Sequence, residues 1–233
     1  FTNSTGVLTI RDCNALKELR VEKESFKSYE SIVLSGLLSL ETLRIDGGNF
    51  REARELKVSG LPGLKKIVVG DGCFSQGNGR WVLSQCSTLS EVTIGSGSFG
   101  KYSAFQLDGL PALEALRIGD DSFGSIEGWS LEQLNGLKQV SIGERSFSKG
   151  SGSFLVKKCE GLESITIGSH SFALYSSFEL EGASVLKSVK AASNCFADGM
   201  TLKLDGLSGL DSVAIGEKSF VHSSSFSLTS LIN

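Results

Sequence analysis

A single spacing governs the aromatic residues of this chain. Its 14 phenylalanines occupy only two positions of a repeat that is 24–25 residues long. Self-similarity at a fixed period of this length is typical of a solenoid, in which each repeat contacts only its neighbours. Ten phenylalanines share one position of the repeat, which is the last residue of the recurring phrase Ile-Gly-x-x-Ser-Phe or of a variant of it: Phe1, Phe26, Phe50, Phe74, Phe99, Phe123, Phe147, Phe172, Phe196 and Phe220. The other four follow six or seven residues after such an anchor, at Phe105, Phe154, Phe178 and Phe226, where Trp81 and Trp129 also fall.

Each repeat contains two short stretches in which apolar and polar residues alternate. In the repeat from 99 to 123 they are Phe105-x-Leu107 and Leu116-x-Ile118. Period-two alternation predicts a strand with one buried face, and neither stretch continues with the spacing of an amphipathic helix. We therefore expect a β-rich solenoid of about nine coils with little or no α-helix. Each coil should contribute one strand to each of two parallel β-sheets.

Glycine follows the second strand in most repeats. The positions are Gly70, Gly95, Gly119, Gly143, Gly168 and Gly216. Because glycine adopts positive φ without steric cost, we expect a left-handed corner at these residues.

A longer period lies above the single repeat. Successive anchors are 25, 24 and 24 residues apart, three times over, which sums to 73. Cys13, Cys86 and Cys159 follow this spacing, and so do all three tyrosines. We interpret residues 1–233 as a single repeat solenoid made of units 1–73, 74–146 and 147–219 and a partial coil 220–233, which arose by tandem duplication.

Composition and motifs argue against several classes of function. The net charge is −3, and no basic stripe indicates nucleic acid. No apolar run is long enough for a membrane span. His170 and His222 lie two repeats apart at different positions, and no Cys or His pair has zinc-ligand spacing. We expect no catalytic residue, no cofactor and no metal; an acidic group at Asp120, Asp121 and Glu144 is interrupted along the row by serines.

The cysteines do not form a disulfide pattern. There are five, an odd number, and three of them are separated by three repeats. Three coils stacked at about 4.8 Å place those residues roughly 14 Å apart, about twice the span of a disulfide. We interpret all five as buried thiols, which leaves the redox compartment open.

The second half of the repeat carries the pattern LxxLxIxxxxF, for example Leu40-Leu43-Ile45-Phe50. It resembles the leucine-rich repeat. The Ile-Gly-x-x-Ser-Phe ending, together with the cysteine that leads into the pattern, is similar to the BspA-like class of bacterial and protist surface repeats. The resemblance implies a right-handed coil and an extracellular or cell-surface location. The usual asparagine position holds Glu24, Gly48, Gly72, Gly97, Asp121, Arg145, His170, Asn194 and Lys218, so we expect no continuous side-chain ladder.

Two functions fit a repeat chain without a catalytic motif. The first is a non-enzymatic scaffold that presents its sheet to a protein or glycan ligand. The outward residues of the second strand would form that surface: Arg20, Arg44, Val68, Thr93, Arg117, Ser141, Thr166, Lys190 and Ala214. The alternative is a structural protein that polymerises end to end, through uncapped solenoid ends, into a filament or coat.

Candidate site residues are few. Tyr29, Tyr102 and Tyr175, at three-coil intervals, form either a contact row on one edge or a set of copied packing residues. Asn3 begins an Asn-Ser-Thr sequence and is a candidate glycosylation site.

Overall fold

The computed structural model describes residues 6–229, and in that range the chain is a parallel β-solenoid without an α-helix. Two short strands form in each coil because apolar residues alternate there, and turns rich in serine and glycine separate them. The first strands of successive coils are β1 (Gly6–Arg11), β3 (Tyr29–Ser35), β5 (Glu55–Ser59), β7 (Arg80–Ser84), β9 (Ala104–Asp108), β11 (Trp129–Glu132), β13 (Gly152–Lys157), β15 (Tyr175–Glu181), β17 (Thr201–Asp205) and β19 (Ser225–Thr229). The second strands are β2 (Glu18–Val21), β4 (Thr42–Ile45), β6 (Lys66–Val69), β8 (Glu91–Ile94), β10 (Ala115–Ile118), β12 (Gln139–Ile142), β14 (Ser164–Ile167), β16 (Ser188–Ala191) and β18 (Ser212–Ile215).

The strands form three parallel sheets, where the sequence predicts two. All nine second strands make one continuous sheet, in which equivalent residues of successive coils are paired in register. The first strands divide into a five-stranded sheet from β1 to β9 and another from β11 to β19. The prediction of one sheet per side is therefore correct for the second strands and wrong for the first strands, which are interrupted between β9 and β11.

Aromatic side chains fill the core between the two sides. From Phe26 to Phe220 the anchor rings stack coil upon coil, with centroids 4.6–5.6 Å apart. The second aromatic position interleaves with them, as when Trp81 stacks on Phe99 at 4.9 Å. This stacking uses the apolar faces of the rings as core, so the phenylalanines offer no aromatic surface along most of the solenoid.

The left-handed residues are not the six glycines that follow the second strand. Positive φ occurs two residues later, at Gly72 and its equivalents, and again at each described anchor from Phe50 to Phe220. The glycines after the strand have a different reason: a Cβ on Gly143 would lie 2.5 Å from the backbone nitrogen of Asp120 in the preceding coil. They are required for close approach between coils rather than for positive φ.

The left-handed position offers a test in which only backbone conformation changes. Gly72 has φ +66° with open space around its Cα, whereas His170 occupies the equivalent position with φ 61°. We expect Gly72→Ala to lower the free energy of unfolding by about 1 kcal/mol, and His170→Gly to raise it by up to about 1 kcal/mol. Urea unfolding of both variants measures this. Changes of the same sign in the two unfolding free energies would contradict the claim that the left-handed backbone determines stability at this position.

A ladder of buried serines joins the coils on the inner side of this turn. The residues are Ser98, Ser122, Ser146 and Ser171, all without exposed surface. Each hydroxyl donates to the carbonyl of the glycine that follows the second strand in the preceding coil, at 2.7–3.1 Å. Each also accepts the backbone N–H of its equivalent residue in that coil, at 3.1–3.3 Å. The expectation of no continuous side-chain ladder is thus wrong, because the ladder lies one residue beyond the usual asparagine position.

Two cysteines take serine positions in this ladder. The Sγ atoms of Cys73 and Cys195 lie 3.4 and 3.1 Å from carbonyl oxygens of the preceding coil. Burial raises the pKa of both thiols to about 11, against the opposing effect of nearby backbone amides. These thiols are therefore protonated and unreactive at neutral pH. Cys86 and Cys159 are buried as expected, whereas Cys13 is exposed because no described residue covers its outer side.

Candidate binding surfaces

The structure places two of the three tyrosines in the core. Tyr102 and Tyr175 have no exposed surface, and Tyr29 is half-buried. The rings of Tyr102 and Tyr175 pack edge-on against the anchors Phe99 and Phe172, each at 4.9 Å. A contact row would need exposed rings, so at these two positions the geometry favours the packing alternative.

The buried tyrosines tie together three coils at a time. The hydroxyl of Tyr102 donates to the carbonyl of Ala53 at 3.0 Å, and that of Tyr175 to the carbonyl of Ile126 at 2.7 Å. Each bond spans 49 residues, or two coils. The coil between them has a glycine under the ring: a Cβ on Gly79 would lie 2.5 Å from Cζ of Tyr102. The 73-residue spacing therefore has a physical basis. The carbonyl acceptor, the glycine under the ring and the tyrosine lie in three successive coils, as Ala53, Gly79 and Tyr102 do.

The stability cost of removing the Tyr102 hydroxyl should depend on pH. Burial raises the pKa of Tyr102 above its usual value, with Glu55 adding to the effect. The phenol of the unfolded chain ionises near pH 10, so the stabilising contribution is complete below about pH 10 and is lost as the pH rises further. Tyr102→Phe should cost about 1–2 kcal/mol at pH 7, and the difference from wild type should shrink above about pH 10. Urea unfolding at both pH values measures this, with Tyr29→Phe as control. A pH-independent cost would contradict it.

The remaining polar candidates do not converge on a site. His170 and His222 are exposed and separate, and Asn3 lies outside the described residues. The carboxylate of Asp120 accepts the backbone N–H of Glu144 at 2.8 Å, while Asp121 is paired with Arg145 at 2.8 Å. Within residues 6–229 no group of three or more His, Cys, Asp or Glu side chains could hold a metal ion.

The nine-stranded sheet presents its outward residues in two different ways along its length. In the first half, charged side chains are joined to one another: Glu91 lies between Lys66 and Arg117, at 2.9 and 3.0 Å. Asp46 accepts hydrogen bonds from Arg20 and Arg44 at 3.0 and 2.7 Å. Burial opposes ionisation of Asp46, but the two arginines outweigh it and lower the pKa of the carboxyl group. Most outward charged side chains of this half are thus paired with one another.

The second half of the sheet carries small hydroxyl side chains. From β12 to β18 three of the eight outward residues are Gln139, Lys190 and Ala214, and the other five are hydroxyl residues: Ser141, Ser164, Thr166, Ser188 and Ser212. Their hydroxyls have no hydrogen-bond partner among the described residues. The strands are in register, so Ser164, Ser188 and Ser212 form one straight row across neighbouring coils. Ser141 and Thr166 lie in a second row, which continues with Lys190 and Ala214. We call this surface the hydroxyl face.

The break between β9 and β11 is the second distinctive surface. Gly128, directly before β11, has φ +83°, which is outside the range of a strand. The next residue, Trp129, donates its indole N–H to the carbonyl of Phe105 at 3.1 Å. That carbonyl would otherwise accept a backbone N–H from β11. Trp81, where the sheet is continuous, shows the converse: its indole N–H is buried without a partner among the described residues.

Backbone groups on both sides of this break are left unpaired. Gln133 N–H donates to Lys157 in the following coil, so the alternation along β11 turns residues 130 and 132 towards β9. On the other side, Leu107 and Gly109 face the break. The equivalent glycine one unit later, Gly182, donates to the carbonyl of Asp205 at 3.2 Å. No backbone hydrogen bond joins the described residues of β9 and β11.

A groove of about 460 Å³ lies over the break. Its polar side chains are Gln106, Asp108, Ser130, Glu132 and Gln133, all exposed. None of the five has a hydrogen bond or ion pair from its side chain within residues 6–229. In the coils that follow, carboxylates of the same row are paired, as in Lys157–Glu181 at 3.3 Å and Lys203–Asp205 at 3.7 Å. We call this surface the sheet-gap groove.

No residue predicted for a site lies in this groove, although the sequence contains a signal for it. The residue before the first-strand aromatic is Ser153 or Ser177 in the two following coils, but Gly128 at the break. A glycine at that point of a strand marks a bulge or an end. A tryptophan directly after it adds a donor that a phenylalanine lacks.

Comparisons with protein-family models, with curated proteins and with solved structures give no match. Among the described residues, no helix has the length and apolar character needed to cross a membrane.

Proposed function

We propose that the chain is a non-enzymatic repeat scaffold that binds a protein or glycan ligand through its nine-stranded sheet. The observation that carries this proposal is the contrast along that sheet. Arg20, Lys66 and Arg117 engage acidic neighbours, whereas the hydroxyl face has donors and acceptors with no partner in the described chain. Hydroxyl groups on a flat, regular surface are suited to hydrogen bonding with a ligand.

The stiffness of the solenoid supports the same proposal. Each strand of the sheet is paired on both sides except at its two edges, and from β4 to β16 the side chains beneath it are buried. A ligand would therefore meet side chains already held in rows, which lowers the entropic cost of binding. Stacked repeats commonly use such extended surfaces for binding.

A matched pair of substitutions tests the proposal. Thr166 and Thr93 occupy the same row, 73 residues apart, on the hydroxyl face and on the ion-paired half. The labelled protein is applied to a glycan array and to a displayed peptide library, and the best ligand is titrated. Thr166→Arg should weaken its binding at least about tenfold, and Thr93→Arg should change it less than about twofold. Absence of saturable binding, or equal effects of the two variants, would reject the proposal.

We further propose that the chain belongs to the leucine-rich repeat proteins of the BspA-like class and acts at the cell surface or outside the cell. The support is the recurring LxxLxI pattern, in which Leu43 and Ile45 are both buried. Surface biotinylation of the source cells, followed by detection of the chain, tests the location. Recovery only from the unlabelled intracellular fraction would contradict it.

End-to-end polymerisation is the second candidate. Phe226 and Leu228 in β19 occupy core positions of the repeat but are 65% and 52% exposed. A coil of another molecule stacked on β19 would bury both side chains. Light scattering of the purified chain should then show growth with concentration, which Phe226→Ser would suppress. A particle mass that stays at one chain would exclude this candidate.

A further inference from the structure

We propose that the pairing of β5 with β7 is a latent hinge, which opens when the indole N–H of Trp81 takes the carbonyl oxygen of Leu56 from the backbone. The inference goes beyond the binding function proposed above and does not depend on any ligand. It rests on the two tryptophans, which occupy equivalent positions but have opposite hydrogen bonding. We call the pairing of β5 with β7 the closed joint and the break between β9 and β11 the open joint.

The two tryptophans occupy the same place in the core. Trp81 is in register with Phe105, the residue that Trp129 follows by 24 positions. Each indole stacks on the anchor ring of its own coil, Trp81 on Phe99 at 4.9 Å and Trp129 on Phe147 at 4.7 Å. A difference in their hydrogen bonds therefore reflects two states of one element.

At the closed joint the backbone takes the carbonyl oxygen. Gly60 N–H donates to the carbonyl of Ser84 at 3.3 Å. The alternation along both strands therefore turns the N–H of Val82 towards the carbonyl of Leu56. The indole N–H of Trp81 is buried and has no partner among the described residues. The open joint shows the converse, because there the indole holds the oxygen and the backbone is unpaired.

The two states are close in free energy because each leaves some group without a partner. A buried donor without an acceptor costs more than an average hydrogen bond contributes, which favours opening. Backbone groups released by opening can be hydrated, since a groove of about 360 Å³ lies over the closed joint, as the sheet-gap groove does over the open one.

The residue before the tryptophan decides between the two states. At the open joint it is Gly128, with φ +83°, which glycine adopts without steric cost. At the closed joint it is Arg80, the first residue of β7, and a side chain at positive φ would be strained. Arg80 therefore holds the closed joint in the strand conformation.

Opening of this joint would give the solenoid a second flexible point. The nine-stranded sheet is continuous past both joints, so the two coils stay paired on that side. Coils that are held on one side and released on the other can tilt apart, as in a hinge made of a few residues. The curvature of the nine-stranded sheet would change with this tilt.

Residue-resolved hydrogen exchange of two variants tests the proposal. The four amides that bridge the closed joint are those of Val58, Gly60, Val82 and Ser84. Arg80→Gly should lower their protection at least about tenfold, because the strain of positive φ is removed. Trp81→Phe should raise it at least about threefold, because the open form loses its donor. Gln85 N–H, which donates to Asp108 in the following coil, should change less than about twofold in both variants. Unchanged protection of the four amides in either variant would overturn the proposal.

Two controls separate the exchange of donors from a general loosening by glycine. Ala104→Gly places glycine before Phe105, whose ring has no donor, and should lower the protection of the amides between β7 and β9 by less than about threefold. Arg80→Gly combined with Trp81→Phe should return the four amides to within about threefold of the wild-type protection. A loss in Ala104→Gly as large as that in Arg80→Gly, or a full loss in the double variant, would reject the hinge.

Discussion

Gly150→Ala is expected to lower the free energy of unfolding by about 3 kcal/mol or more, the upper end of the effect of overpacking. A Cβ at this position would overlap the carbonyl oxygen of Ile126 in the preceding coil. The same oxygen accepts the hydroxyl of Tyr175 at 2.7 Å. Relief of the overlap would require the two coils to separate, which would disturb both the tyrosine tie and the stacked rings beneath it. Urea denaturation followed by circular dichroism measures the change.

Gly72→Ala is the matched control for this prediction. It introduces the same methyl group into open space, so only its left-handed φ contributes, at about 1 kcal/mol. We therefore expect the loss of unfolding free energy at Gly150 to be at least about twice as large. Similar losses in the two variants would show that steric contact between coils does not determine the glycine at position 150.

The second large effect is expected in the serine ladder. Ser146→Ala removes both the donor to the carbonyl of Gly119, at 2.8 Å, and the acceptor of the Ser122 N–H, at 3.2 Å. Two backbone groups in a buried turn would lose their partners, at a cost of about 2–3 kcal/mol. Thermal unfolding and urea unfolding should both show this loss.

Ser146→Cys distinguishes the effect of losing the hydrogen bonds from the effect of losing side-chain volume. The chain itself places cysteine in the ladder at Cys73 and Cys195, where the sulfur takes the oxygen's position. We expect roughly half the cost of the alanine variant, because a thiol is a weak donor. Ser141→Ala, on the outward face, should change stability by less than about 0.5 kcal/mol. A cysteine variant as unstable as the alanine variant would contradict the ladder.

The spacing of the phenylalanines was sufficient to predict the coil, the strand pair and the core. The prediction succeeded because stacking constrains the apolar positions of every repeat. The positions of Phe147 and Val140, and their equivalents in the other coils, must face inward for the rings to stack and the strands to pair. The outward rows follow from the same alternation, since every second strand residue points away from the core.

The interactions between coils could not be predicted from the repeat pattern. The role of Tyr175 depends on an acceptor 49 residues away, and that of Gly143 on the backbone of the coil beneath it. The break at Gly128 and Trp129 arises from competition between an indole donor and a backbone donor for one carbonyl oxygen. The glycine and the added indole donor are visible in the sequence, but which donor takes the oxygen depends on atomic positions that the sequence does not contain.

Residue-resolved hydrogen exchange tests most directly that the solenoid is a continuous stack with a single open break among residues 6–229. The amide protons to compare are those of Leu107, Gly109, Ser130 and Glu132 with those of their equivalents 73 residues later, Leu180, Gly182, Lys203 and Asp205. The first set should exchange at least about tenfold faster, and Gly128→Ser with Trp129→Phe should remove the difference. Equal protection of the two sets in the wild-type chain would contradict the account.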